Sequence, residues 1–110
     1  MVQQLPDTFT EAMEGLPQAF KAERAAGANA IVQIIASGPE PGEWSITVKD
    51  GKCVTDRGSA ENPSVTINTP SDVWLKIMRR ELDGASAFMG GQFTFSGDMG
   101  VLMQFGSWFE

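Results

Sequence analysis

The sequence predicts an α+β domain, a five-stranded and mostly antiparallel sheet with helices on one face. Three observations carry this. Trp44, Ile46 and Val48 alternate with Ser45, Thr47 and Lys49, the period-two signature of a half-buried strand. Asp50-Gly51 follows directly, the strongest short hairpin signal, so neighbouring strands run antiparallel. Helix starts at Thr8-Phe9-Thr10-Glu11 and Thr69-Pro70-Ser71-Asp72 stand on either side of the strands. Strands segregated from helices in this way favour helices packed on one sheet face. At 110 residues the chain has room for one domain.

In chain order, the capping-box spacing Thr8 to Glu11 opens a helix with Phe9, Ala12, Met13 and Leu16 as its apolar stripe. Gly15 and Pro17 interrupt it, a second short helix is expected over Pro17 to Ala26, and Gly27 ends the helical region. Ala28 to Ala36 reads as a strand with Ala30, Val32, Ile34 and Ala36 on one face. Gly38-Pro39-Glu40-Pro41-Gly42 is a turn. The Trp44 strand, the Asp50-Gly51 turn and Lys52 to Thr55 complete a three-stranded meander. Ser64 to Asn68 is a fourth strand, with Val65 and Ile67 on one face. Thr69 as cap and Pro70 at the first helical position begin a helix expected to run to about Leu82 and to end at Gly84. Its buried side is Val73, Trp74, Ile77 and Met78. A short helix over Ala85 to Met89, a strand through Phe93 and Phe95, a turn at Gly97 and a helix capped by Asp98 finish the chain.

Composition removes several function classes. The formal charge of −6 disfavours nucleic acid and anionic membrane surfaces, which attract clustered Lys and Arg. The basic pair Arg79-Arg80 is followed at once by Glu81 and reads as the solvated end of a helix. The chain has no His, which removes most zinc and iron sites and the Ser-His-Asp and Cys-His arrangements. Cys53 is the single cysteine, so no internal disulfide forms; a strand cysteine of this kind is a small hydrophobe whose pKa the adjacent Lys52 would lower slightly. No cofactor is called for. No apolar run approaches a spanning helix, and the N-terminus lacks the pattern of a secretory signal. A cytoplasmic, microbial protein is the expectation.

The segment from Ala85 to Phe109 holds more apolar surface than a short strand and one helix need for a small core. Asp98 is its one ionisable side chain at neutral pH. A helix apolar nearly all round must be covered on both sides, by protein, membrane or ligand. Met99 and Met103 are compatible with an adaptable ligand wall or with core filling, whereas Met78 reads as core. Phe105, Trp108 and Phe109 fit a cavity mouth, a membrane contact during loading, a dimer contact, or a staple holding the last helix to the sheet. Trp44 and Trp74 read as core.

The stretch Ala87-Phe88-Met89-Gly90-Gly91-Gln92-Phe93-Thr94-Phe95-Ser96-Gly97-Asp98-Met99 resembles the signature of the sterol carrier protein type 2 family. Trp44-x-Ile46-x-Val48 before Asp50-Gly51, Asn62-Pro63-Ser64-Val65-Thr66-Ile67, and a helix opening at Ser71-Asp72 follow the same order and spacing. The resemblance extends from about Phe9 to Phe109 and implies a five-stranded sheet whose helices enclose an apolar tunnel for a lipid. Strand positions often held by Lys in that family are Gln92, Thr94 and Ser96 here, which points away from acyl-CoA and its phosphates. Phe93 and Phe95 replace smaller aliphatic residues and would narrow the tunnel or offer flat walls to a ring system.

The resulting expectation is a non-catalytic carrier for a fatty acid, sterol or isoprenoid-like lipid. Val32, Ile34, Phe88, Phe93, Phe95, Met99, Leu102, Met103 and Phe105 are the candidate ligand-binding residues. The partners expected are one apolar small molecule, no nucleic acid, at most transient membrane contact, and at most a weak homodimer. The rival function is an accessory domain that presents a lipid precursor to biosynthetic enzymes. An enzyme is disfavoured, because the chain has neither His nor Tyr and shows no nucleophile–base pair.

Overall fold

The structure, a computed structural model, describes residues 7–108. The Thr8 hydroxyl accepts the Glu11 N–H at 3.1 Å and opens α1 (Phe9–Glu14), which buries Phe9, Ala12 and Met13. The Glu11 carboxylate returns to the N–H of Asp7 at 2.9 Å, one residue before the cap. Gly15 separates α1 from α2 (Leu16–Ala19), and a 3-10 turn follows at Ala22–Ala25. The second helix expected over Pro17 to Ala26 is therefore two short pieces, broken where Phe20 adopts an extended conformation.

The sheet has five strands, β1 (Asn29–Ser37), β2 (Gly42–Lys49), β3 (Lys52–Arg57), β4 (Val65–Pro70) and β5 (Thr94–Gly97), in the order β3-β2-β1-β4-β5. All neighbouring pairs are antiparallel except β1 with β4. Asp50 (φ 54°) and Gly51 (φ 73°) both occupy the left-handed region, as the tight β2–β3 turn requires, and Lys49 pairs with Lys52 across it. The registers set Val32 between Ile46 and Val65, and Ile34 between Trp44 and Ile67. One face of the sheet is thus a continuous buried layer.

On the opposite face Ile31 and Ile35 are half-buried, and Val54 is half exposed. Gln33 is the buried exception there. Its amide accepts from the Ala60 N–H and donates to the Gly58 carbonyl, so the loop after β3 covers it and satisfies it.

The helices pack on the apolar face. Phe9, Met13, Leu16, Trp74, Ala87, Phe105 and Trp108 share one core with the sheet residues Val32, Ile34, Ile46 and Ile67. Glu40 in the β1–β2 turn ties two helix starts together. Its carboxylate accepts the N–H of Phe9 at 2.7 Å and of Thr10 at 3.2 Å, while its own N–H donates to the buried Ser71 hydroxyl at 2.9 Å.

The helix after β4 differs from its expectation at both ends. α3 spans Ser71–Met78, with Pro70 as its N-cap and no side-chain cap. The Thr69 hydroxyl is buried and donates to the Pro70 carbonyl instead. The helix stops four residues before Leu82 because Arg80 takes the left-handed conformation (φ 61°). The Arg80 N–H donates to the Ile77 carbonyl and the Glu81 N–H to the Lys76 carbonyl, the double closure of a Schellman end. Gly84 does not end this helix; it begins α4 (Gly84–Met89), whose cap is Asp83.

Candidate functional site

β4 and β5 pair so that Ile67 lies beside Phe95 on the helix-covered face at the sheet's edge. α3, α4 and α5 (Met99–Ser107) surround this edge. The direction of α5 is set at Gly97 and Asp98. A Cβ at Gly97 would stand 2.6 Å from the Ser64 carbonyl oxygen, so only glycine lets the two strands meet there. The Asp98 N–H donates to that same carbonyl at 2.9 Å, and its carboxylate accepts the Val101 N–H at 3.2 Å, capping α5. At the far end the Lys21 N–H donates to the Trp108 carbonyl at 2.7 Å. α4 is held by the Asp83 carboxylate, which accepts from both the N–H and the hydroxyl of Ser86 at 3.0 Å.

These anchors leave a cleft of about 750 Å³ between the three helices and the sheet edge. Ile67 lines it from β4, Trp74, Ile77 and Met78 from α3, Phe88 and Met89 from α4, and Phe105 from α5. Met99, Leu102 and Met103 come from α5. Phe88 contacts both Phe93 and Phe95, with ring centroids 5.6 and 5.3 Å apart. Trp74 stacks on Phe105, which in turn meets Trp108 edge-on. Met89 (85 % exposed), Met103 (74 %) and Met99 (53 %) open this apolar surface to solvent. Unbranched thioethers at such positions can repack against varied apolar shapes.

Of the nine candidate residues, Phe88, Phe93, Met99, Leu102, Met103 and Phe105 line the cleft. Val32 and Ile34 do not; they are fully buried in the central β1 layer, with no free face to offer. Phe95 does not line it either, and stands behind Phe88 as backing for that wall. Met78, expected in the core, is half-buried and lines the cleft while packing on the core. Trp74 belongs to both core and cleft in the same way. Phe105 and Trp108 are buried, so they staple α5 in place rather than standing open at a mouth; Phe109 lies outside the described residues.

Sequence reasoning missed Ile67, Ile77, Met89, Arg80 and Leu82 as lining residues. Ile77 was visible as part of an apolar stripe, but nothing in the order of residues says which stripe is shared between core and cleft.

The polar content of the cleft is small. Arg80 and Asp83 are the two charged residues among those lining it. Trp74 Nε1 is buried without a hydrogen-bond partner, the one such side-chain nitrogen or oxygen among the described residues. Among those residues no group of three His, Cys, Asp or Glu side chains could hold a metal ion. Cys53 lies far along the sheet on β3, and burial pushes its thiol up to about 11. That is opposite to the lowering expected from Lys52, and its cause is desolvation of the thiolate by burial. The arrangement offers chiefly apolar contact.

No helix of the described residues is long and apolar enough to cross a membrane.

Known proteins share this architecture. The sec-alkylsulfatase Pisa1 from Pseudomonas sp. superposes with a TM-score of 0.80 at 19 % identity, over 91 % of this chain and 16 % of that one. Palmitated SCP2L2 from Aedes aegypti superposes with a TM-score of 0.75 at 19 % identity, over 94 % of this chain and 93 % of that one. In sequence, Hydroxysteroid dehydrogenase-like protein 2 from Xenopus tropicalis is 29 % identical over 75 residues, 67 % of this chain and 18 % of that protein. The chain spans about a fifth of the length of the curated relatives it matches. The profile of the SCP-2 sterol transfer family matches residues 9–110. The chain therefore belongs to the SCP-2 sterol transfer family, and a general, non-catalytic lipid-carrying role goes with that membership.

Proposed function

We propose that this domain carries one lipid molecule in the cleft between α3, α4, α5 and the β4–β5 edge, shielding it from water in the cytoplasm. The observation that supports this is the apolar cleft itself, about 750 Å³ in size and bordered by exposed Met89, Met99 and Met103. That volume falls within the roughly 300–1,000 Å³ of small-molecule sites. The residues we assign to the ligand are Phe88, Phe93, Met99, Leu102, Met103 and Phe105, with Trp74, Ile77 and Met78 added. Val32, Ile34 and Phe95 act as the support behind them. The exposed methionines fold over the bound lipid, turning an open cleft into an enclosed tunnel. Burial of apolar area, at about 25 cal/mol per Å² before ordering costs, supplies the affinity.

Native mass spectrometry of the purified protein and displacement of a fluorescent fatty acid test this. A lipid adduct and saturable displacement at micromolar concentration are the expected results. No adduct, together with no binding of any fatty acid, sterol or isoprenoid below millimolar concentration, overturns the reading.

A further inference from the structure

We propose that β3 is a self-association edge, on which a second copy of this chain pairs antiparallel with Val54 on the two-fold axis. β3 and β5 are opposite edges of the sheet, so pairing through β3 leaves the cleft open in both copies.

The backbone of β3 is set for a further strand. The Gly58 N–H donates to the Glu43 carbonyl at 2.8 Å, continuing the register in which Trp44 faces Arg57 and Ser45 faces Asp56. Residue pairs along an antiparallel ladder alternate between hydrogen-bonded and non-bonded. Gly58 is a bonded position, so Asp56, Val54 and Lys52 also bond to β2. Cys53 and Thr55 therefore turn their N–H and carbonyl groups away from β2, toward the open edge. No described helix or loop takes up those groups.

The side chains select the partner. Lys52, Val54 and Asp56 stand opposite Lys49, Thr47 and Ser45, on the sheet face that the helices leave uncovered. All three are exposed, Val54 by 50 %. A two-fold centred on Val54 sets that side chain against its own mate and each Lys52 against the partner's Asp56. These are the non-bonded positions of the new ladder, where facing side chains lie closest, while Cys53 and Thr55 meet as its bonded pairs. Moving the centre to Cys53 or Thr55 sets Val54 against Lys52 or Asp56 instead, so the Val54 register is the one that matches charge.

Lys49 gives a second reason. It lies directly opposite Lys52, and among the described residues neither lysine forms an ion pair. Like charges facing each other across a strand pair are destabilising, and an acid arriving beside Lys52 offsets that. Edge strands are commonly guarded by a charge that finds no mate in the wrong pairing. Here Lys52 and Asp56 flank Val54 symmetrically, so a two-fold makes them each other's mates.

Sedimentation equilibrium of the 110-residue chain tests this, together with Lys52→Asp, Asp56→Lys and the double swap of both residues. One strand pair makes a small interface, so wild-type dimerisation is expected with a Kd on the order of 100 μM. Each single reversal should weaken it at least about tenfold, because each counts twice across the axis. The swap, which keeps the wild-type net charge, should restore it, and the two single variants should pair when mixed with each other. A chain that stays monomeric up to about 1 mM overturns the proposal. So does a dimer that tolerates either reversal, or one that the swap fails to restore.

Crosslinking checks the register. Facing residues at a non-bonded position have Cα atoms about 4.5 Å apart, within disulfide range. Val54→Cys in a Cys53→Ser background should therefore form a covalent dimer under mild oxidation. Asp56→Cys in the same background should not, since its mate is displaced by about 13 Å along the strands. Equal crosslinking of the two variants would overturn the Val54 register.

Discussion

Trp74 stacks on Phe105 with ring centroids 6.1 Å apart and planes inclined by 29°, joining α3 to α5 beneath the cleft. The two rings contribute differently to stability. Phe105 is buried and purely apolar, so Phe105→Ala should cost about 3–5 kcal/mol in urea denaturation. Trp74 carries the unpartnered Nε1, and a buried donor of that kind costs about 1–3 kcal/mol. Trp74→Phe removes that cost along with some apolar contact, and should fall within about 1 kcal/mol of wild type. A loss as large as that of Phe105→Ala would mean that the indole N–H is satisfied.

Met103 lines the cleft yet is largely exposed, so its loss should affect ligand and not fold. Met103→Glu should leave stability within about 0.5 kcal/mol, as surface substitutions do. Affinity for any long-chain lipid should fall at least about tenfold, because a carboxylate must then be desolvated against the tail. Equal affinity in the two proteins would remove α5 from the binding surface.

Glu40 gives a pH dependence with a definite sign. The N–H groups of Phe9 and Thr10, helped by the Thr10 hydroxyl and by Arg57, hold its carboxyl below the ordinary 4.5. A lowered acid favours the folded state when it is ionised, so its contribution is complete above that ordinary value. It is lost as pH falls through the lowered native pKa. Glu40→Gln should therefore cost about 1 kcal/mol at pH 7, the worth of a helix cap, and the gap from wild type should close on acidification below 4.5. Chemical denaturation across the acid range checks it; a gap that widens at low pH would contradict the sign.

Gly97→Ala should be the most damaging small substitution in the site. Its φ of 112° is strained for alanine, and the added methyl would press on the Ser64 carbonyl and on Val65 Cα at 2.9 Å. A loss of about 2–3 kcal/mol is expected, measured by thermal melting, because neither neighbour is a flexible side chain. The wall at Phe93, with Phe95 behind Phe88, would loosen with it, so lipid affinity should fall in the same variant. Unchanged melting would show that β5 can shift away from β4.

Much of the fold was legible in the residues. The alternation through Trp44, Ile46 and Val48 and the Asp50-Gly51 turn marked β2 and β3 because strand and turn patterns are local. The cap at Asp98 was legible for the same reason, since one side chain meets the backbone three residues on. The end of α3 was not. Glycine is the usual left-handed residue, so Gly84 drew the boundary, while Arg80 makes that turn. Nothing local announces an arginine there, because glycine is the residue that position ordinarily takes.

The site divided along the same line. Phe88, Phe93, Met99, Leu102 and Met103 stood out because the segment from Ala85 onward holds more apolar surface than its own strand and helix can bury. Val32 and Ile34 have the same apolar character, but the parallel pairing of β1 with β4 places them in the middle of the sheet, covered on every side. Hydropathy identifies a buried face; it does not say whether protein or ligand covers it.

The sequence by itself determined the strands, the buried sheet face, the lack of any His and the family likeness, since all of these follow from residue type and spacing. Only the tertiary structure decided which apolar residues face a cleft and which face the core. It also decided that Arg80 stands at the cleft's rim, and that Glu40 ties α1 to α3 across thirty residues of chain. The physical reason is that period and propensity act over one or two turns of chain. A cavity, by contrast, is the space left where three helices, fixed by separate anchors, fail to close over one edge of a sheet.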